Sequence, residues 1–342
     1  MSFKVVQVID QPGSAMPDYG EMLRQAGIDA QFTKVNCTTE DEIIAAAGDA
    51  DALIGVATYQ PFSRKVIEAL PKCRFIMSMG IGFDKLDVQA ASDHGVLAAN
   101  VPDYCFEEMS DHAMALILAC TRKIIKLDKT VKDGGWKAEA DPDIQRNIWP
   151  TMARLKGQTL GLVGLGRIAR ALLPKAKGFG MRIIAYDPYL ASGVFESLGV
   201  EPAGLDELLA QSDIISLHSP LTPETRHLLG AEQFQKMKPS AFLVNTARGG
   251  LIDQSALYQA LVDGKLAGAA LDVTDPEPMK TDDPLLSLEN VIVTAHSAHA
   301  SIPAFIELLT RPGQEVARVL NGEWPVGLLN PAAKEKYRQK WG

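Results

Sequence analysis

Gly161-Leu162-Val163-Gly164-Leu165-Gly166-Arg167-Ile168-Ala169 closes a β-rich run that begins at Thr159 and opens a helical pattern that ends near Gly178. The spacing is G-x-G-x-x-A in the strand-to-helix setting that gives it meaning. Gly164 permits the tight turn, Gly166 lets the backbone approach a pyrophosphate, and small Ala169 allows close helix-to-strand packing while the helix N-terminus faces the anion. The next β-rich run, 182–186, leads into Asp187. A carboxylate roughly 20 residues beyond the first glycine accepts from both ribose hydroxyls. It would repel a 2′-phosphate, and Pro188-Tyr189 offer no arginine to neutralise one, so NAD is expected rather than NADP.

Strand patterns at 159–163, 182–186, 213–217, 241–245, 267–271 and 291–293 suit a doubly wound dinucleotide-binding domain. Before it, β-rich runs at 4–9, 52–56, 74–78 and 96–99 alternate with helical patterns such as 19–26 and 63–70, which argues for a further set of parallel α/β units. Asn100-Val101-Pro102-Asp103 punctuates the chain, and one long helix is expected from about Phe106 to Val131, ending at Gly134-Gly135. The stretch 136–157 lacks periodicity and reads as an arm, a lid or a loop covering another subunit. A final helical pattern, 301–320, contains Pro312-Gly313, which should break or kink it.

The 342 residues carry 34 Lys plus Arg against 42 Asp plus Glu, a net charge of −8, so no basic field attracts nucleic acid. With 46% hydrophobic and 22% charged residues the composition is that of a globular protein of about two domains. The longest apolar run, 113–120, falls far short of the ~20 residues of a membrane span. Ser2-Phe3-Lys4 lead straight into a strand pattern, so no leader is expected and the cytoplasm is the expected location. Cys37, Cys73, Cys105 and Cys120 form no CxxC pair and read as buried thiols. No His, Cys and carboxylate constellation has metal-ligand spacing, so no metal is expected.

Three segments lie at or just beyond strand ends: Val244-Asn245-Thr246-Ala247-Arg248-Gly249-Gly250, Leu271-Asp272-Val273-Thr274-Asp275-Pro276-Glu277-Pro278 and Val293-Thr294-Ala295-His296-Ser297. Ligands of open parallel sheets bind outside the carboxyl ends of the strands, so Arg248, Glu277 and His296 are expected to converge beside a nicotinamide.

Together with Gly80-Ile81-Gly82-Phe83-Asp84 and Ser216-Leu217-His218-Ser219-Pro220-Leu221-Thr222-Pro223-Glu224-Thr225, these motifs resemble the D-isomer-specific 2-hydroxyacid dehydrogenases along nearly the whole chain. The resemblance implies an α/β fold of two Rossmann-like domains. One is a NAD-binding doubly wound parallel sheet over 102–298, with a dimerisation arm near 106–157. The other is a flavodoxin-like substrate domain made by both chain ends, 1–101 and 299–342. It also implies a homodimer, hinges near Asn100-Val101-Pro102 and 296–301, and hydride transfer between NADH and a 2-keto acid to give a D-2-hydroxy acid, and the reverse.

In that chemistry His296 supplies the proton that the carbonyl oxygen needs. Glu277 favours its imidazolium and fixes which ring nitrogen faces the substrate. Arg248 holds the substrate carboxylate and polarises the carbonyl, and amides of Gly80, Ile81 and Gly82 add to the carboxylate cradle. The resemblance assigns the cofactor to Gly164, Gly166, Arg167, Ile168, Asp187, His218, Ser219, Pro220, Thr225, Thr246, Asp272 and His296. Asp272 accepts from the carboxamide, Thr246 offers its carbonyl there, and His218-Ser219-Pro220 line the adenosine side.

Ala295 and Gly327 stand where the family often has proline and asparagine, and Asp111 where glutamate is common. Glu277, where formate dehydrogenases carry Gln, argues against formate. Alternative readings are a NAD-binding corepressor of the C-terminal binding protein type and a phosphite or other small-anion dehydrogenase. Tyr59, Met77, Met79, Phe83, Tyr104, Trp136 and Trp149 are candidates to line the substrate pocket, and His299 is expected on the first turn of the last long helix.

Overall fold

Seven short strands have every residue buried, as expected of parallel sheets covered on both faces. The computed structural model describes residues 2–9, 16–139 and 141–342. Two units fall out of it, Met1–Tyr104 with Ser301–Gly342, and Cys105–Ala300.

The first unit contains β1 (Phe3–Gln7), β2 (Ala30–Lys34), β3 (Ala52–Gly55), β4 (Phe75–Ser78) and β5 (Leu97–Ala99). All pairings are parallel, in the order β2-β1-β3-β4-β5 of flavodoxin-like sheets. Alternate residues serve opposite faces. Val6, Leu53, Ile76 and Ala98 enter one core, whereas Val5, Ile54, Met77 and Leu97 enter the other. The chain end returns to this unit through Asn330, whose side chain accepts from Ala98 N and donates to Val96 O, both at 2.9 Å. Gly327 is confined beside it, since a Cβ there would lie 2.1 Å from the Asn100 carbonyl oxygen.

The second unit contains β6 (Thr159–Val163), β7 (Arg182–Tyr186), β8 (Glu201–Pro202), β9 (Ile214–Leu217), β10 (Phe242–Asn245), β11 (Gly268–Leu271) and β12 (Val291–Val293). Its parallel order is β12-β11-β10-β9-β6-β7-β8, so the strand order reverses between β6 and β9, the switch point where a doubly wound sheet binds its ligand.

Several expectations need correction. Strands β2 and β8 were absent from the hydrophobic pattern because both are sheet edges: β2 has no fully buried residue and β8 is two exposed residues, one a proline. The single helix expected over 106–131 is two, Phe106–Arg122 and Ile124–Lys132, separated by Lys123 in the left-handed region at φ 55. The Lys123 ammonium lies 4.5 Å from the Phe242 ring centroid, a contact with another element that helical periodicity does not encode. Pro312-Gly313 does not break its helix, which runs unbroken over Ile302–Leu320. The Tyr19 hydroxyl donates to Leu309 O at 2.7 Å, serving a carbonyl in the turn ahead of the proline ring. Gly313 permits the helix Tyr19–Gln25 to approach, since a Cβ there would lie 2.9 Å from the Tyr19 ring. Within 136–157 lie a short helix, Pro142–Asn147, capped by Asp141, and a 3-10 turn, Trp149–Thr151.

All four cysteines are free and buried, and burial pushes the Cys73 and Cys120 thiols up to about 12. Among the described residues no helix is long and apolar enough to cross a membrane.

Burial also pushes the His218 imidazole, just past β9, down to about 4. The ring is neutral in the folded chain near pH 7 but takes a proton on unfolding once the pH drops below about 6.5. The unfolded state therefore binds more protons between those values, and stability held by the neutral ring is complete above about pH 6.5 and lost toward pH 4, about 2 kcal/mol of it by pH 5. We expect His218→Asn to narrow the difference in Tm between pH 7 and pH 5; an unchanged difference would contradict the assignment.

Candidate active site

Each glycine of the turn after β6 answers a different constraint. Gly164 has φ +91, and a Cβ on it would lie 2.9 Å from the amide nitrogen and hydroxyl of Ser219, so the turn is seated against the segment after β9. Gly166 has ordinary extended backbone as N-cap of the helix Arg167–Gly178, no side chain caps that helix, and a Cβ there would meet nothing within 4 Å. Neither backbone strain nor a protein neighbour requires glycine at 166. Open space in front of uncapped amides at Arg167 and Ile168 fits a dinucleotide pyrophosphate. Ala169 is fully buried against the sheet.

Asp187 is tied to this turn: one carboxylate oxygen accepts from Leu165 N at 3.0 Å and the other from Tyr189 N at 3.1 Å. It lines a cavity of about 410 Å³ with Tyr186, Leu190, Pro202 and Glu207. Across the switch point, Ser219 donates to Val163 O at 3.1 Å and His218 Nε2 lies 2.9 Å from Ser216 Oγ. The Thr225 hydroxyl donates to Pro220 O and accepts from Thr222 N, both at 2.7 Å, so it closes the loop beyond Pro220. Thr246, at the end of β10, is buried, and its hydroxyl has no partner among the described residues.

The three polar segments follow neighbouring strands. Asn245, Leu271 and Val293 are consecutive partners across β10, β11 and β12. Asn245 folds the loop after β10, donating to Arg248 O at 2.9 Å and accepting from Ala247 N at 3.0 Å. Arg248 Nη1 donates to Ala247 O at 2.8 Å. At Gly249 a Cβ would lie 2.1 Å from the Thr274 carbonyl oxygen, so the Arg248 loop and the loop leading to Glu277 meet backbone to backbone. Glu277 Oε1 is hydrogen-bonded to His296 Nδ1.

His296 lies in the left-handed region at φ 50, uncommon for a residue with a Cβ. Asp272 supports this geometry. Its carbonyl accepts from His296 N at 2.8 Å. Its carboxylate accepts from Thr294 Oγ1 at 2.5 Å, from Ser297 N at 2.9 Å and from Ala298 N at 2.9 Å. Burial alone would push this carboxyl up, but the Thr294 hydroxyl, the two amides and nearby His112 outweigh it and hold it below the usual range.

His299 lies in a turn ahead of the last long helix, which starts at Ile302, and not on its first turn. Its ring stands edge-on to His296, centroids 5.9 Å apart at 88°. Burial, then the His296 charge, push its imidazole down.

In the other unit, the carbonyls of the Gly80 loop are tied down: Gly80 O accepts from Val101 N at 3.0 Å, Ile81 O from Asn100 Nδ2 at 2.7 Å and Gly82 O from Ser78 Oγ at 3.2 Å. Met77, in β4, and Met79, just beyond it, are both buried in the core of that unit. Tyr59, Phe83, Trp136 and Trp149 are exposed. The supporting roles of Thr294 and His112 were missed, since their bonds join residues that no spacing rule connects, whereas Asn245 closes a local Asx turn onto Ala247 that its spacing could have signalled.

Residues 114–298 match the family model for the D-isomer specific 2-hydroxyacid dehydrogenase NAD binding domain. A glyoxylate reductase of Korarchaeum cryptofilum is 41% identical over 288 residues, covering 84% of this chain and 85% of that protein. A D-3-phosphoglycerate dehydrogenase of Methanocaldococcus jannaschii is 41% identical over 293 residues, 85% of this chain, and the chain spans 54% of that relative's length. Among solved structures, the holo form of Rhodotorula graminis D-mandelate dehydrogenase aligns with TM-score 0.84 and 30% identity, covering 96% of this chain and 98% of that one. The chain belongs to the D-isomer-specific 2-hydroxyacid dehydrogenase family, NAD-dependent oxidoreductases that move hydride between 2-keto and 2-hydroxy acids.

Proposed function

We propose that the chain interconverts a small 2-keto acid and its D-2-hydroxy acid, with Arg248, Glu277 and His296 as the groups that act on the substrate. The observation that carries this reading is the Glu277 bond to His296 Nδ1, on loops that follow β11 and β12, with Arg248 on the loop after adjoining β10. When bound, NAD supplies or accepts the hydride. Reduction puts negative charge on the carbonyl oxygen, and His296 gives it a proton. Because Glu277 occupies Nδ1, the transferable proton sits on Nε2, and the neutral ring afterwards keeps Nδ1–H against the carboxylate. Arg248 grips the substrate carboxylate through its planar fork and polarises the carbonyl.

The Gly80, Ile81 and Gly82 loop, whose carbonyls are already engaged, leaves amides suited to an anion such as a carboxylate. Gly164, Gly166, Arg167 and Ile168 hold the pyrophosphate, Asp187 the ribose hydroxyls, and His218, Ser219 and Pro220 the adenosine side, with Thr225 keeping their loop closed. Thr246 and Asp272 serve the nicotinamide side. The names of the relatives make short anionic 2-keto acids such as glyoxylate and phosphohydroxypyruvate the first candidates.

We read the chain as a homodimer. The helix Ile124–Lys132 has no buried residue, and Ile124, Ile125, Val131, Trp136 and Trp149 are all exposed, which is apolar area suited to a second copy. Four buried free thiols suit the reducing cytoplasm.

Three outcomes test this account. Arg248→Ala and His296→Gln should each lower kcat for 2-keto acid reduction by about 10²-fold or more while NADH affinity, read by fluorescence, stays within a few-fold; undiminished turnover in either would remove that residue from the chemistry. Asp187→Ala should raise the ratio of NADPH-driven to NADH-driven kcat/KM, and a constant ratio would undo the ribose assignment. Ile125→Glu should shift sedimentation equilibrium toward monomer, whereas a monomeric wild-type chain would refute the dimer.

A further inference from the structure

His112 has no place in the mechanism above, yet it is the outermost member of a hydrogen-bond chain that ends at the backbone of the turn carrying His296. It projects from the helix Phe106–Arg122, half-buried, with Nε2 3.2 Å from Thr294 Oγ1. Thr294 has one hydroxyl proton, which it gives to Asp272 Oδ1 at 2.5 Å. The contact from His112 must therefore be a donation, with the proton on Nε2. The direct approach of His112 to Asp272 Oδ1, 3.6 Å, is too long for a hydrogen bond, so the connection runs through Thr294. Asp272 in turn accepts from the amides of His296, Ser297 and Ala298, three consecutive residues that include the one at φ 50. A left-handed residue with a Cβ persists only where its surroundings over-determine it.

We infer that His112 is a positioning residue for the reaction at His296: its Nε2–H orients the Thr294 hydroxyl onto Asp272, and Asp272 holds the 296–298 turn in the conformation that delivers the imidazole to Glu277 on one side and to substrate on the other. This inference rests on the proposed role of His296. The chain orders donors and acceptors in one direction, His112 to Thr294 to Asp272, and each link strengthens the next by polarising it. Glu277 at Nδ1 and His299 edge-on face the His296 ring, and neither contact holds its backbone as Asp272 does.

The test uses the full chain with NADH and the best 2-keto acid substrate. His112→Leu removes the donor and keeps bulk, His112→Gln returns a donating nitrogen, and Thr294→Val cuts the next link. We expect the Leu variant to lose about tenfold in kcat with KM for the keto acid within about twofold, and the alkaline limb of its kcat/KM profile to move to lower pH. The Gln variant should restore both kcat and profile. The Leu and Val changes should be non-additive when combined, because they sever one chain. Wild-type kcat and pH profile in His112→Leu would overturn the inference, as would equal loss in the Leu and Gln variants with an unmoved profile, which would mark a packing role. If His296→Gln itself keeps full turnover, the reading of His296 fails first, and the two failures are thereby distinguished.

Discussion

A buried carboxylate, Asp272, held by hydroxyl and amide donors, governs the geometry of the loop that follows β12. Taking a charge out of water costs several kcal/mol, and it is tolerated only when donors replace the lost solvent. Asp272 has those donors from Thr294, Ser297 and Ala298, and its own carbonyl takes the amide of His296. The donors come from the very stretch, 294–298, that carries His296, so keeping the charge satisfied and keeping His296 in its left-handed conformation are the same requirement. Glu277 then has only to meet a ring that is already placed.

The parallel sheet explains why these groups gather. Strands pointing one way deliver successive loops to one edge, and register makes the ends of β10, β11 and β12 neighbours before any side chain is considered. Glycines tune how closely those loops approach. Gly249 admits the Thr274 backbone and Gly164 admits Ser219, both contacts a Cβ would forbid. A Cβ on Gly166 would meet nothing within 4 Å, so the same residue type marks close packing at two positions and open space at the third.

Much of this was legible in the chain. The strands 159–163, 182–186 and 291–293 were read with the bounds observed, because each is a short, largely apolar run that stops at a turn or polar residue, Gly164, Asp187 or Thr294. The glycine turn and Asp187 were readable because local spacing encodes local geometry. What escaped depends on partners distant in sequence. Strand β2 exists by pairing with β1, Lys123 leaves the helix where it meets Phe242, and Pro312 stays helical with Tyr19 beside it. Met77 and Met79 read as pocket residues, and both are packed into the core of the first unit. His112 carried no signal, since its partner Thr294 is brought to it only by the packing of a helix against the last strands.

The second imidazole sharpens the division of charge. Two protonated rings 5.9 Å apart would repel by about 3 kcal/mol at an effective dielectric near 20, so a proton on His299 is opposed whenever His296 carries one. Burial presses His299 in the same direction. His296 has a carboxylate partner in Glu277, and in the proposed reaction that ring alone carries the proton to be transferred. In the proposed reaction the substrate carboxylate finds its positive charge at Arg248, which keeps binding of the anion and delivery of the proton on separate groups. That separation matters chemically, because an imidazolium spent on neutralising a carboxylate would be a poorer acid toward the carbonyl oxygen.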